Sequence, residues 1–186
     1  MNFLYPKFPA KQSSAMVRIT LFGAVVAGLY GSLHDQISYS ISPEYFTKLK
    51  FHQFSYADFG WPPRVFATEI GFLATWWVGL LAGWFLARAG LAEVSIPAQR
   101  TCVVKAFAIV LTLTPLFGFI GVLLGVVVTQ GSDLSGWSDV EQGLDIRDLR
   151  AFVIVAYLHD AGYLGALVGL VLAIVYVRRC LARSRS

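Results

Sequence analysis

Four long apolar segments, separated by short segments that carry most of the charge, dominate this sequence. We predict membrane spans over residues 16–35, 65–87, 103–128 and 146–177. A helix needs roughly 20 predominantly apolar residues to cross the hydrocarbon of a bilayer. Charged residues make up 14% of the chain and hydrophobic residues 56%, whereas soluble domains are about one-quarter charged. The pattern predicts an all-α protein, a four-helix transmembrane bundle in which residues 1–186 form a single integral membrane domain.

The positions of the basic residues predict the orientation of these spans. With the N-terminus inside, ten of the 15 Lys and Arg residues fall in cytoplasmic segments and five in outer segments, as the positive-inside rule requires. We therefore predict a bacterial inner (cytoplasmic) membrane protein with both termini cytoplasmic. The first span could instead be a cleavable signal peptide, but residues 29–34 make a poor small-x-small cleavage site, which favours a retained anchor.

The two outer segments differ in character. Residues 36–63 are rich in aromatic side chains, and Ser42-Pro43-Glu44 is a good helix start. We predict a short interfacial helix there, from Pro43 to about Phe54. Residues 129–145 read as a loop, after which Asp145-x-x-Asp148 resembles a helix cap, so the fourth helix should begin near Ile146.

Small residues spaced four apart predict how the spans pack, because lipid supplies no hydrophobic drive between helices. Every span has such a stripe, for example Gly79-x3-Gly83 and Gly165-x3-Gly169, which favours a compact bundle. Pro115 should kink the third span, with neighbouring threonine hydroxyls bonding the backbone. Cys102 and Cys180 lie near ends assigned to the cytoplasm, so we expect reduced thiols there.

Five ionisable residues fall at one depth near the outer end of three spans, when residues are counted from the cytoplasmic anchors. Ionisable groups at such depth suggest function. They are His34, Asp35, Glu69, His159 and Asp160, and His52 and Glu44 on the outer segment could fold over them. In particular, His34 and His159 continue small-residue stripes, so we predict that His34, Glu69 and His159 are neighbours in space.

Three interpretations of this cluster stay open. Imidazoles and carboxylates could ligate a divalent transition metal, namely zinc, iron or manganese. The same groups could relay protons, since histidine titrates near neutral pH. They could also form a hydrogen-bonded network that holds the helix ends together. No H-E-x-x-H or E-x-x-H spacing singles out the metal.

Three short strings resemble a known group of proteins. They are His34-Asp35-Gln36, the string EYFT at 44–47 and the string ATWWVG at 74–79. With these strings the chain resembles a family of uncharacterised small polytopic membrane proteins of bacteria. The resemblance implies membrane topology and bacterial origin, and it implies no catalytic residue.

P-loop, dinucleotide-binding and nucleophile-elbow motifs do not occur in the sequence, so no motif assigns an activity. Two main functions remain open. The first is an accessory or structural membrane protein, whose partners are the lipid bilayer and other membrane subunits. The alternative is a membrane metalloprotein, either an enzyme or an ion or proton transporter. The net charge of +4 reflects topology, and we expect no nucleic acid as a partner.

Overall fold

The computed structural model describes residues 10–90, 96–131 and 133–183, and these residues form helices and connecting turns without strands. The long helices are α1 (Ala10–Ile41), α3 (Pro63–Gly90), α4 (Ile96–Gly131) and α6 (Leu149–Arg183). Between α1 and α3 lie a π-helical turn (Tyr45–Lys50), α2 (Phe51–Gln53) and a 3-10 turn (Ser55–Ala57). Between α4 and α6 lie a 3-10 turn (Ser135–Trp137) and α5 (Ser138–Leu144).

All four long helices are long and apolar enough to cross a membrane. Each of them exposes large apolar side chains on its outer face. In α1, for example, every fourth residue from Val17 to Ile37 is apolar and exposed. Apolar surface on this scale is expected to face lipid rather than water. The ends of the helices differ from the predicted spans: α1 continues to Ile41 instead of ending at residue 35, whereas α6 begins at Leu149, three residues later than Ile146.

The long helices pair as two antiparallel hairpins, α1 with α3 and α4 with α6. Glycines make this pairing possible. A Cβ on Gly31 would overlap the carbonyl oxygen of Gly71, and one on Gly121 would overlap the carbonyl oxygen of Tyr157. Backbones this close leave no room for any larger residue. The predicted stripes at 79/83, 121/125 and 165/169 all lie in these contacts, whereas the Gly31–Gly71 contact was not anticipated.

Packing between the two hairpins is much looser than packing within them. A cavity of about 300 Å³ therefore lies between the hairpins, and all four long helices line it. Helix α4 continues through Pro115, and the Thr114 hydroxyl donates to the carbonyl of Val110 at 2.8 Å, as predicted. The kink itself stays a prediction.

Aromatic residues close one end of the hairpins, which we call the cap end. The predicted helix from Pro43 is present as the π-helical turn and α2, and it ends at Gln53 with Phe54 as its C-cap. Tyr45 and Phe46 are buried there against Phe152 of α6 and Ile146. The connection 129–145, predicted to be a loop, is helical over Ser138–Leu144. Its last residue, Asp145, adopts a left-handed conformation (φ 51°) and pairs with Lys48 at 3.0 Å.

A disulfide marks the opposite end, which we call the disulfide end. Cys102 at the start of α4 is bonded to Cys180 near the end of α6, with Cα atoms 6.2 Å apart. The expectation of two reduced thiols was therefore wrong. The two cysteines are 78 residues apart in the sequence, and it is the antiparallel pairing of α4 with α6 that brings them together. The bond lies in an apolar cluster with Leu86 of α3 and Val177.

We expect the thiols of Cys102 and Cys180 to resist alkylation in purified protein, even after unfolding in detergent, until a reductant is added. Replacing both cysteines by serine should lower the free energy of unfolding by about 2–4 kcal/mol, because the cross-link restricts the unfolded chain. Counting alkylated thiols by intact mass tests the bond. Two alkylated thiols in unreduced, unfolded protein would contradict it. Reduced wild type is the matched control for the serine variant.

Candidate metal centre

Three of the predicted polar residues meet at the cap end of the hairpins. His34 and Asp35 come from α1 and His159 from α6, and one potential ligand atom of each lies within 4.8 Å of the other two. The two imidazole rings meet edge to face, with centroids 4.9 Å apart. The cluster thus joins one hairpin to the other. Asp35 is 5% and His159 4% exposed, so water has little access to either side chain.

A backbone hydrogen bond sets the tautomer of His159. Its Nδ1 lies 2.9 Å from the carbonyl oxygen of Val155, one turn earlier in α6. A carbonyl oxygen can only accept, so Nδ1 must carry the proton. In the neutral ring, Nε2 is then an acceptor whose lone pair points away from the backbone. This arrangement is typical of a histidine that ligates a metal through its second nitrogen.

The second nitrogen of His159 faces the carboxylate of Asp35. Nε2 and Oδ1 are 3.4 Å apart, which is longer than the roughly 2.7–2.9 Å of a charge-assisted hydrogen bond. Both atoms are acceptors when the ring is neutral, and two buried acceptors repel one another unless a proton or a cation lies between them. The contact therefore calls for a proton shared between the two atoms or for a cation bound between them.

Tyrosines surround the two histidines. The Tyr30 hydroxyl lies 3.4 Å from Nδ1 of His34, and because a hydroxyl both donates and accepts, it is compatible with either tautomer. The Tyr45 ring stacks on His159, with centroids 4.9 Å apart and planes 20° apart. The Tyr163 ring lies farther away, 6.4 Å from His159. Stacking by Tyr45 holds the imidazole of His159 in one orientation.

Contacts at the start of α6 position Tyr45 over this cluster. The Glu44 carboxylate accepts hydrogen bonds from the backbone N–H groups of Arg147 and Asp148, the shortest at 2.8 Å. Asp148 itself caps the helix by accepting from Ala151 at 3.0 Å. Negative charge at a helix N-terminus is stabilising. The predicted start near Ile146 is therefore three residues early, because Asp148 and not Asp145 caps α6, and Glu44 reinforces this cap from a distant part of the chain.

The other predicted site residues lie elsewhere. Glu69 lines a shallow groove between α1 and α3, beside Ser32 and Phe72. Among the described residues, it is not a member of the cluster formed by His34, Asp35 and His159. Asp160 is exposed, because adjacent residues of a helix point about 100° apart and His159 faces inward. His52 is exposed on the cap, and Glu44 caps α6 instead of joining the cluster.

Sequence reasoning missed Lys50. Its side chain lines the same cavity as His34, Asp35 and His159, and burial lowers the pKa of its ammonium although the charges of Asp35 and Asp160 act in the opposite direction. Lys48 and Lys50 are two residues apart in the π-helical turn, so their side chains diverge: Lys50 lines the cavity and Lys48 pairs with Asp145. No signal in the sequence predicted a π-helix here.

No protein-family model, curated protein or solved structure matches this chain.

Replacing Glu44 with alanine should destabilise the protein by about 1–2 kcal/mol, since backbone N–H groups at the start of α6 lose a charged acceptor. Thermal unfolding in mild detergent measures the change. The matched control is Glu141→Ala, which removes a carboxylate from α5. Equal stability of the two variants would show that Glu44 does not secure α6.

Proposed function

We propose that this protein is a membrane metalloprotein that binds one divalent transition metal ion through His34, Asp35 and His159. The three ligand atoms lie within 4.8 Å of one another and come from two hairpins that otherwise touch little. Two imidazoles and a carboxylate are a ligand set used for zinc and for iron(II), and manganese accepts it as well.

The observation that carries the proposal is the contact between His159 and Asp35. In a tetrahedral site with metal–ligand bonds of about 2.1 Å, neighbouring ligand atoms lie roughly 3.4 Å apart. Nε2 and Oδ1 are separated by 3.4 Å, and the backbone bond of Nδ1 leaves the Nε2 lone pair free. A cation between these atoms removes the repulsion between two buried acceptors.

Three protein ligands leave a coordination position open. Structural zinc sites are closed by four protein ligands, whereas sites that act on a substrate keep one position for water or the substrate. The cluster borders the cavity between the hairpins, so the open position is accessible from that cavity. This arrangement favours binding of a small molecule at the metal over a purely structural role.

A structural role is the second candidate, and the same contacts support it. A protonated His159 would form an ion pair with Asp35 across the two hairpins, and Tyr45 would stack on it. The protein would then be an accessory membrane protein whose polar network holds the cap end of a four-helix bundle together, alone or with other membrane subunits. Metal content separates the two functions.

We further propose that both termini lie in the cytoplasm of a bacterial inner membrane, so that the metal site is near the outer surface. The excess of basic residues in the segments at the disulfide end supports this orientation. The Cys102–Cys180 disulfide lies at the same end, and because such bonds are rare in the cytoplasm, the disulfide counts against this orientation while the basic residues count for it.

Purified wild-type protein should contain close to one equivalent of zinc, iron or manganese by elemental analysis. His34→Ala, His159→Ala and Asp35→Asn should each lose that ion, because two remaining ligands bind weakly. His52→Ala, which removes an exposed histidine on the cap, is the matched control and should keep the metal.

Adding back the ion should raise the melting temperature of metal-stripped wild type and leave the three cluster variants unchanged, because a ligand stabilises only the state that binds it. If wild-type protein contains no metal and the three cluster variants are nevertheless less stable than wild type, the structural network is favoured. Metal retained by all three variants would exclude the proposed centre.

Single cysteines introduced into a Cys102→Ser, Cys180→Ser background test the orientation. A membrane-impermeant maleimide added to intact cells should label Ser55→Cys and Ser135→Cys, and should spare Ser13→Cys until the membrane is permeabilised. The opposite labelling pattern would show that the topology is reversed and that the disulfide lies on the oxidising, outer side of the membrane.

A further inference from the structure

The cavity between the hairpins has a polar end and a long apolar body. Tyr30, His34, Asp35, Lys50 and His159 form the polar end. The apolar body is lined by small and aliphatic residues of all four long helices, among them Ala27, Val78, Ala82, Leu111, Ala166 and Leu170. Ligand sites are mostly apolar with a few polar groups that orient the ligand. The lining of this cavity has that composition.

The dimensions of the cavity restrict what could occupy it. From His159 to Leu170, both in the lining, α6 advances roughly 16 Å at about 1.5 Å per residue. The volume of about 300 Å³ is at the lower end of the range for ligand sites. A space this long and this small in volume is narrow, so it accommodates one extended hydrocarbon chain better than a ring system or a two-chain lipid.

Lys50 indicates the head group of the occupant. Among the residues that the structure describes, no side-chain or backbone acceptor hydrogen-bonds its ammonium, which lies over the Tyr45 ring, 5.9 Å from the ring centroid. Lys48, two residues earlier, is paired with Asp145 at 3.0 Å. A partly buried ammonium without an acceptor is unfavourable, and an anionic head group at the mouth of the cavity would supply the missing acceptor.

We infer that the cavity binds one long-chain carboxylate, with its hydrocarbon chain between the two hairpins and its carboxylate beside Lys50. The inference goes beyond the proposed metal site and does not require it. If the metal is present, its open position lies at the same polar end, so the carboxylate has a second point of attachment. A phospholipid fits less well, because it brings a second chain.

Gly162 allows the cavity to be filled without disturbing the helices. It is buried on α6 and lines the cavity, yet a Cβ built on it meets no atom within 4 Å. Gly162→Leu should therefore occupy the space needed by the hydrocarbon chain while α6 stays folded. Gly162→Ala is the matched control, because it adds one methyl group and leaves most of the cavity open.

The experiment uses full-length protein in nanodiscs of zwitterionic lipid, treated with a chelator so that metal binding plays no part. Sodium laurate is added, and bound molecules are counted by native mass spectrometry. One laurate should bind wild type, Gly162→Ala and Lys48→Gln alike. Gly162→Leu should bind none, provided that its melting temperature shows it to be folded. Lys50→Gln should bind about tenfold more weakly, as expected for loss of a charged hydrogen-bond partner.

Two results would overturn the inference. Equal binding of laurate to wild type, Gly162→Leu and Lys50→Gln would mean that the molecule only partitions into the bilayer. Binding of lauryl alcohol as tightly as laurate would mean that Lys50 recognises no carboxylate. Neither result bears on metal content, which elemental analysis of the untreated protein decides separately.

Discussion

Direct contact between helix backbones within each hairpin determines the arrangement of the rest of the structure. Inside a bilayer a chain must satisfy its own backbone hydrogen bonds, so it forms helices, and those helices gain little from burying apolar side chains against one another. Close contact at Gly31 with Gly71 and at Gly121 with Tyr157 provides the packing instead. Pairing is consequently strong within each hairpin and weak between hairpins.

Polar groups hold the two hairpins together where glycines do not. Asp35 of α1 meets His159 of α6, and Tyr45 of the cap stacks on the same histidine. In a low-dielectric environment such groups are costly unless every member has a partner. The relative position of the hairpins therefore depends on how these buried groups are paired.

The loose packing between hairpins leaves the cavity, and the polar cluster closes one end of it. Small side chains such as Ala27 and Ala166 line its body, so the space is not filled from within. Lys50 brings a cation to its mouth from the π-helical turn. A metal site and a site for a long-chain carboxylate would thus share one polar end, although each proposal rests on its own contacts and has its own test.

The sequence alone determined the existence of four apolar helices, the glycine stripes that pack them and the common depth of His34, Asp35 and His159, since each follows from local composition and helical period. Only the tertiary structure decided which groups meet. Glu69 has the expected depth but lies in a different groove, because the face of α3 toward α1 depends on glycine contacts from both helices. The disulfide, the cap of Glu44 on α6 and the position of Lys50 join residues far apart in the chain. Such contacts depend on which helices pair, and periodicity within one helix carries no information about its partner.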